Sequence, residues 1–128
     1  MSDLDSSIQI LIPLREPTFY ILLSLTYGEK HGYALLKTIE SLSQGKLKMS
    51  TGTLYEALAR LLEQGLIERV DATEPKADLP GENEDHRSRT RKVYRLTKLG
   101  LQVLRAEMDR MQRLILNARL RLGEEQSE

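Results

Sequence analysis

Two stretches of this chain hold the side chains that could do chemistry. The first contains Lys48, Ser50, Thr51, Gly52, Thr53, Tyr55 and Arg60, a set of hydroxyls, a phenol and two cations. The second contains Arg87, Arg89, Arg91, Lys92 and Arg95, five bases in nine residues with His86 just before them. Hydroxyls, ammonium groups and guanidinium forks donate to phosphate oxygens, and Arg can read guanine through paired N–H groups. Neither stretch resembles a catalytic centre. An enzyme would need a nucleophile beside a base, paired carboxylates in a pocket, or a phosphate loop. The chain has no Cys, which removes thiolate nucleophiles and thiolate metal sites. It has no Gly-x-Ser-x-Gly, His-x-x-x-His or Walker pattern, and its two histidines, His31 and His86, would leave a metal to carboxylates. No enzymatic activity, metal or cofactor is expected.

Each stretch has a plainer reading beside the functional one. Ser50, Thr51 and Thr53 are good helix caps and need do nothing else. Charge runs are commonly solvated faces. Tyr33 and Tyr55 can send a hydroxyl to phosphate, or equally be buried rings with one bonded tip. His31 is expected to make a local turn contact. The elements that carry these residues decide between the readings.

Thr18 to Leu25 is apolar on every side, as in a buried helix, with Thr18 as its cap and Gly28 as its end. Before it, Ile8 to Leu14 is a short apolar stretch that packs as an arm. A second helix spans Gly32 to Ser43, with Leu35, Leu36, Ile39 and Leu42 at helical spacing and Gly45 as its stop. After an extended link from Lys46 to Met49, a third helix begins at Ser50 and Thr51 and ends at Gly65. Its stripe of Leu54, Leu58, Leu61 and Leu62 faces the core and leaves Thr51, Thr53, Glu56, Ala57 and Arg60 outside. Gly52 would let backbone approach a partner closely. Leu66 to Val70 and Val93 to Leu96 read as two strands. The polar segment between them holds six acids and one lysine from Asp71 to Asp85. DNA would repel that half, so it should point away, while the basic half faces phosphate.

The last element is a helix from Thr97 to Leu122. Leu101, Leu104, Met108, Met111, Ile115, Ala118 and Leu122 alternate at three and four residues, the a and d positions of three heptads. So long a stripe outruns a small core and calls for a partner helix from a second copy; the plainer alternative is packing on its own first helix alone. Met108 and Met111 could also line an adaptable ligand pocket, although ordinary packing suffices for them.

With 128 residues the chain suits one domain, and its 19 basic and 19 acidic residues cancel, so charge placement rather than net charge bears on nucleic acid. No apolar run reaches the roughly 18 residues of a membrane span. The acidic start, Met1 to Asp5, lacks the basic region of a signal peptide, so a cytoplasmic location and no membrane partner are expected. The fold class that emerges is mostly α with a small β-hairpin: a winged helix-turn-helix plus a long C-terminal dimerisation helix. Its expected parts are an N-terminal arm at 1–17, the winged helix at 18–96 with a mobile wing loop at 72–90, the dimerisation helix at 97–122 and a tail at 123–128.

The residues also resemble a family. His31-Gly32-Tyr33, Gly52-Thr53-Leu54-Tyr55, Leu58, Arg60-Leu61, Gly65-Leu66-Ile67 and Tyr94-Arg95-Leu96-Thr97-Lys98-Leu99-Gly100 look like the PadR transcriptional regulators. The resemblance covers about Phe19 to Gly100 and the style of the last helix. It implies a homodimeric winged-helix repressor whose C-terminal helix makes the dimer, and the single helix after the wing is similar to the short subgroup. This chain departs in its long acidic wing loop and in having no tryptophan; members that bind flat aromatic drugs between subunits use aromatic stacking there. The expected partners are therefore double-stranded DNA, a second copy of the chain and a small-molecule effector near the terminal helices. The competing reading is a winged-helix protein-interaction module that does not touch DNA. The basic run and the small hydroxyl helix start argue against it.

Overall fold

The computed structural model describes residues 3–73 and 90–124, with side chains for 6–70 and 92–124. Its elements are α1 (Asp3–Leu11), α2 (Glu16–Ser24), β1 (Lys30–His31), α3 (Gly32–Leu42), α4 (Thr51–Glu63), β2 (Ile67–Thr73), β3 (Thr90–Leu96) and α5 (Lys98–Arg121). This is the expected winged helix followed by one long helix.

The apolar stripes build a single core. Ile21, Leu22 and Leu25 near the end of α2, Leu35 and Ile39 of α3, and Leu54, Leu58 and Leu61 of α4 are buried together with Val103 and Leu104 of α5. Helix α3 packs on α2 and α4, while α5 packs on α1 and α2. The sheet order is β1-β3-β2, all antiparallel, with Val70 opposite Val93 and Lys30 opposite Tyr94.

Several expectations need correction. Helix α2 begins at Glu16, not Thr18, and Arg15 at its N-cap makes no side-chain cap bond. The cause is Pro17, whose fixed φ and missing N–H suit a first turn. The helix also ends at Ser24, and Gly28, at φ +141°, instead turns the chain into β1. The apolar arm is itself a helix, and its Ile8 is buried in the core. β1 was not expected, because two residues carry no periodicity; pairing with β3 makes it a strand. Finally, Ala57 is buried beside Leu58 rather than left outside. The strands extend to Thr73 and back from Thr90, at the edges of the expected wing loop. The rest of that loop, with its acidic half, lies outside the described residues, as do residues 125–128 of the tail.

Candidate nucleic-acid interface

Helix α4 shows how one segment can serve core and surface. Leu54, Ala57, Leu58 and Leu61 are buried, and Thr51, Gly52, Thr53, Glu56 and Arg60 are exposed. Thr53, Glu56 and Arg60 are spaced three and four apart, so they share a face. Thr53 and Arg60 stand about 10 Å apart along the axis.

The cap reading and the contact reading fall on different residues. Ser50 is the N-cap: its hydroxyl oxygen accepts the Thr53 N–H at 3.1 Å and donates to Thr53 Oγ1 at 2.9 Å. Thr53 Oγ1 therefore accepts inside the motif and keeps its own proton for an outside acceptor. Thr51 makes no cap bond. Its N–H and that of Gly52 precede the first intrahelical bond, which runs from Leu54 N–H to Ser50 O at 3.0 Å. An exposed helix start with free N–H groups and positive dipole attracts phosphate.

The two tyrosines also separate. Tyr33 is 65% exposed, with the Lys37 ammonium 5.3 Å from its ring centroid. It is not a buried ring, and Lys37, one turn on, brings a cation to the same spot. The spacing of four residues was the signal for Lys37, which sequence reasoning passed over. Tyr55 is 41% exposed, and its hydroxyl lies against Gly32, where a Cβ would collide with it. That ring tip fills the space of the missing side chain at the start of α3. His31 caps α3 through Nδ1, which accepts the Ala34 N–H at 3.4 Å, the local contact expected.

The basic residues divide by their partners. Lys48 is exposed and only 4.0 Å from Glu40, a weak surface pair. Arg60 and Lys92 are exposed without a carboxylate partner among the described residues. Arg95 is different: it binds Glu68 Oε2 at 2.8–2.9 Å and lies 3.7 Å from Glu29. Counted in sequence with the basic run, it is neutralised across the sheet, because strand pairing sets Glu68 opposite it. Arg91 lies in β3 with its side chain outside the described residues, and Arg87 and Arg89 lie outside them entirely.

The residues of α5 expected to form a seam also divide. Leu104 is 2% exposed within its own chain and Leu101 and Met111 are half-buried, whereas Met108, Ile115, Ala118 and Leu122 are exposed. The reason is geometric. The 24-residue helix is about 36 Å long, and its buried residues Gly100, Val103, Leu104 and Glu107 all belong to the first half. At 100° per residue, Met111, Leu114, Ile115, Ala118 and Leu122 continue the same face beyond the core. Leu114, 54% exposed, belongs to that face although a strict a and d pattern omits it.

Glu107 interrupts this apolar stripe. It is 1% exposed, and its carboxylate accepts the Leu14 N–H at 2.9 Å and two Arg110 N–H groups at 2.6 and 2.9 Å. The Arg110 hydrogen bonds hold the carboxyl below its usual range against the opposing effect of burial, and Leu14 assists. Beside this pair a depression of about 380 Å³ is lined by Leu14, Glu16, Phe19, Tyr20, Arg110 and Met111. No sequence signal singled out Glu107, which reads as one charge among many on a surface helix.

Comparison with known proteins supplies context for this geometry. The family described as transcriptional regulator PadR-like matches residues 21–106. A transcriptional regulator from Clostridium thermocellum superposes with a TM-score of 0.60 at 22% identity, covering 92% of this chain and 96% of that one. Bacillus subtilis PadR in complex with operator DNA superposes with a TM-score of 0.56 at 22% identity, over 73% of this chain and 47% of that one. The Escherichia coli transcriptional regulator YqjI is 47% identical over 43 residues, 34% of this chain but only 21% of the relative's own length.

Proposed function

Because the chain belongs to the PadR-like family of transcriptional regulators, we propose that it is a sequence-specific DNA-binding repressor acting as a homodimer on a two-fold operator. The observation that carries this reading is the exposed face of α4, with its open N-terminus, the outward Thr53 hydroxyl and Arg60 two turns on. Support comes from the operator complex of the Bacillus subtilis relative and from the apolar face that the second half of α5 leaves exposed.

In this reading Thr51, Gly52 and Thr53 enter the major groove first. Arg60 reaches a guanine edge or, late in the helix, a phosphate. Lys48, Tyr33 and Tyr55 hold the backbone on either side, while Ser50, its hydroxyl proton committed to Thr53, serves as the cap. The wing residues Arg87, Arg89, Arg91 and Lys92 bind phosphate and carry no base preference. A second copy docks through Met108, Met111, Ile115, Ala118 and Leu122, joined by Leu114, with Leu101 at the edge of the seam. A small-molecule effector binds beside Met111 and releases DNA by favouring a different separation of the two subunits. The protein works in the cytoplasm.

Selection of bound DNA from a random pool tests the core of the proposal. The expected product is a pair of half-sites related by a two-fold axis, about 34 Å apart. A pool without enrichment refutes sequence-specific binding. On the selected site, Arg89→Ala should reduce the salt slope of log K by about 0.9; an unchanged slope removes Arg89 from the phosphate contacts.

A further inference from the structure

Helix α5 leaves the core at one residue. Its buried side chains end at Glu107; Met111, one turn on, is half-buried beside Leu14, Phe19 and Tyr20, and from Leu114 onward the apolar face is exposed. At this point of departure stands a charge, fully bonded. Glu107 Oε2 accepts the N–H of Leu14, 93 residues away, in the segment that joins α1 to α2. Arg110, one turn on, grips both carboxylate oxygens from the outer side. Helix α2 packs on α3, which packs on α4, so the bond ties the dimer-bearing helix to the reading head.

We propose that Glu107 is a positioning residue, a clasp that fixes the angle at which α5 leaves the DNA-binding domain and thereby the separation of the two recognition helices. The inference rests on the homodimer proposed above. Stability alone does not call for a charge here, since replacing a whole buried ion pair by apolar residues is often neutral or stabilising. What a carboxylate adds is direction, because its oxygens must meet one backbone N–H and one guanidinium at once. With α5 held in the seam, a swing at the clasp moves the DNA-binding domain. A point about 20 Å from the pivot, within the span of a domain of this size, moves about 3.5 Å for a swing of about 10°, on the scale of the roughly 3.4 Å between successive bases along a DNA strand. A loose clasp would therefore blur half-site spacing without touching a DNA-contacting residue.

The test measures the separation directly. The chain has no Cys, so Gln64→Cys places a single spin label on each protomer at the exposed C-cap of α4. Dipolar distance measurement on the full-length dimer should give a narrow distribution. Glu107→Met fills the same volume without an acceptor and should widen the distribution at least twofold. Glu107→Gln keeps an acceptor for the Leu14 N–H and should restore most of the narrowness. Leu14→Pro removes the donor with the carboxylate in place, so it reads the same bond from the other side should the Met variant not fold. A folded Glu107→Met or Leu14→Pro variant with the parent's width overturns the clasp. A parent without any intermolecular signal overturns the homodimer, and the clasp with it.

Discussion

The exposed half of α5 gives the strongest quantitative expectation. Leu114 and Ile115 are each 54% exposed in the single chain, on the face that continues the buried stripe. Burying a whole Leu or Ile side chain stabilises by about 1.5–3 kcal/mol, so covering the exposed half contributes about 1 kcal/mol for each. Both occur twice in a dimer. Replacing both with Ala should therefore weaken association by about 4 kcal/mol, roughly a thousandfold in Kd. The fold of each chain should survive, because the positions are exposed and Ala is the best helix former. Leu120 supplies the control. It is 64% exposed but lies about 140° round the helix from Ile115, off the stripe. Leu120→Ala should change Kd less than about threefold, within the few tenths of a kcal/mol usual for surface changes. Sedimentation equilibrium over a concentration series measures all three proteins. A double variant that associates like the parent, or a Leu120 variant that loses as much, would refute the assignment of this face as the seam.

Other outcomes follow from single side chains. Arg60→Ala should relax preference at one base position, by roughly 1–3 kcal/mol, if it reads a base, or weaken all DNA alike if it holds phosphate; unchanged affinity and selectivity would remove it from the interface. Ser50→Ala should lower stability by about 1 kcal/mol in thermal melts, whereas Thr53→Val should leave the melt nearly unchanged and weaken DNA binding; the reverse pattern would contradict the division of cap and contact. Gly100→Ala should destabilise by about 1–3 kcal/mol, because its Cβ meets the backbone carbonyl of Leu66, which cannot rotate aside; an unshifted melting temperature would be evidence against that close approach. The lowered carboxyl of Glu107 gives a pH effect of definite sign. Its contribution is fully present above the unfolded value of about 4.3, and is lost as pH falls through the lower folded value. Urea midpoints of Glu107→Gln should fall less steeply than the parent's across that acid range, and parallel curves would count against the pair.

Much of α4 was legible from the chain alone. Leu54, Leu58 and Leu61 recur at helical spacing, and burying that stripe forces Thr51, Thr53 and Arg60 to the outside. The heptad spacing likewise placed α5 within a residue of its observed ends. These are local properties: periodicity and capping depend on residues within one or two turns. What lies across the fold was not legible. Nothing near Arg95 in sequence indicated that Glu68 would neutralise it, since that meeting depends on strand register. Nothing near Leu104 said that its own core would bury it while Ile115 stayed exposed, because spacing gives a helix face its azimuth but not the point where the core ends. Glu107 is the clearest case. Its type and spacing suggest a solvated charge, and only the packing of α1 and α2 on α5 brings the Leu14 N–H to it, turning a surface residue into a buried, bonded one. Sequence set which faces are apolar; tertiary structure decided which of them already had a partner.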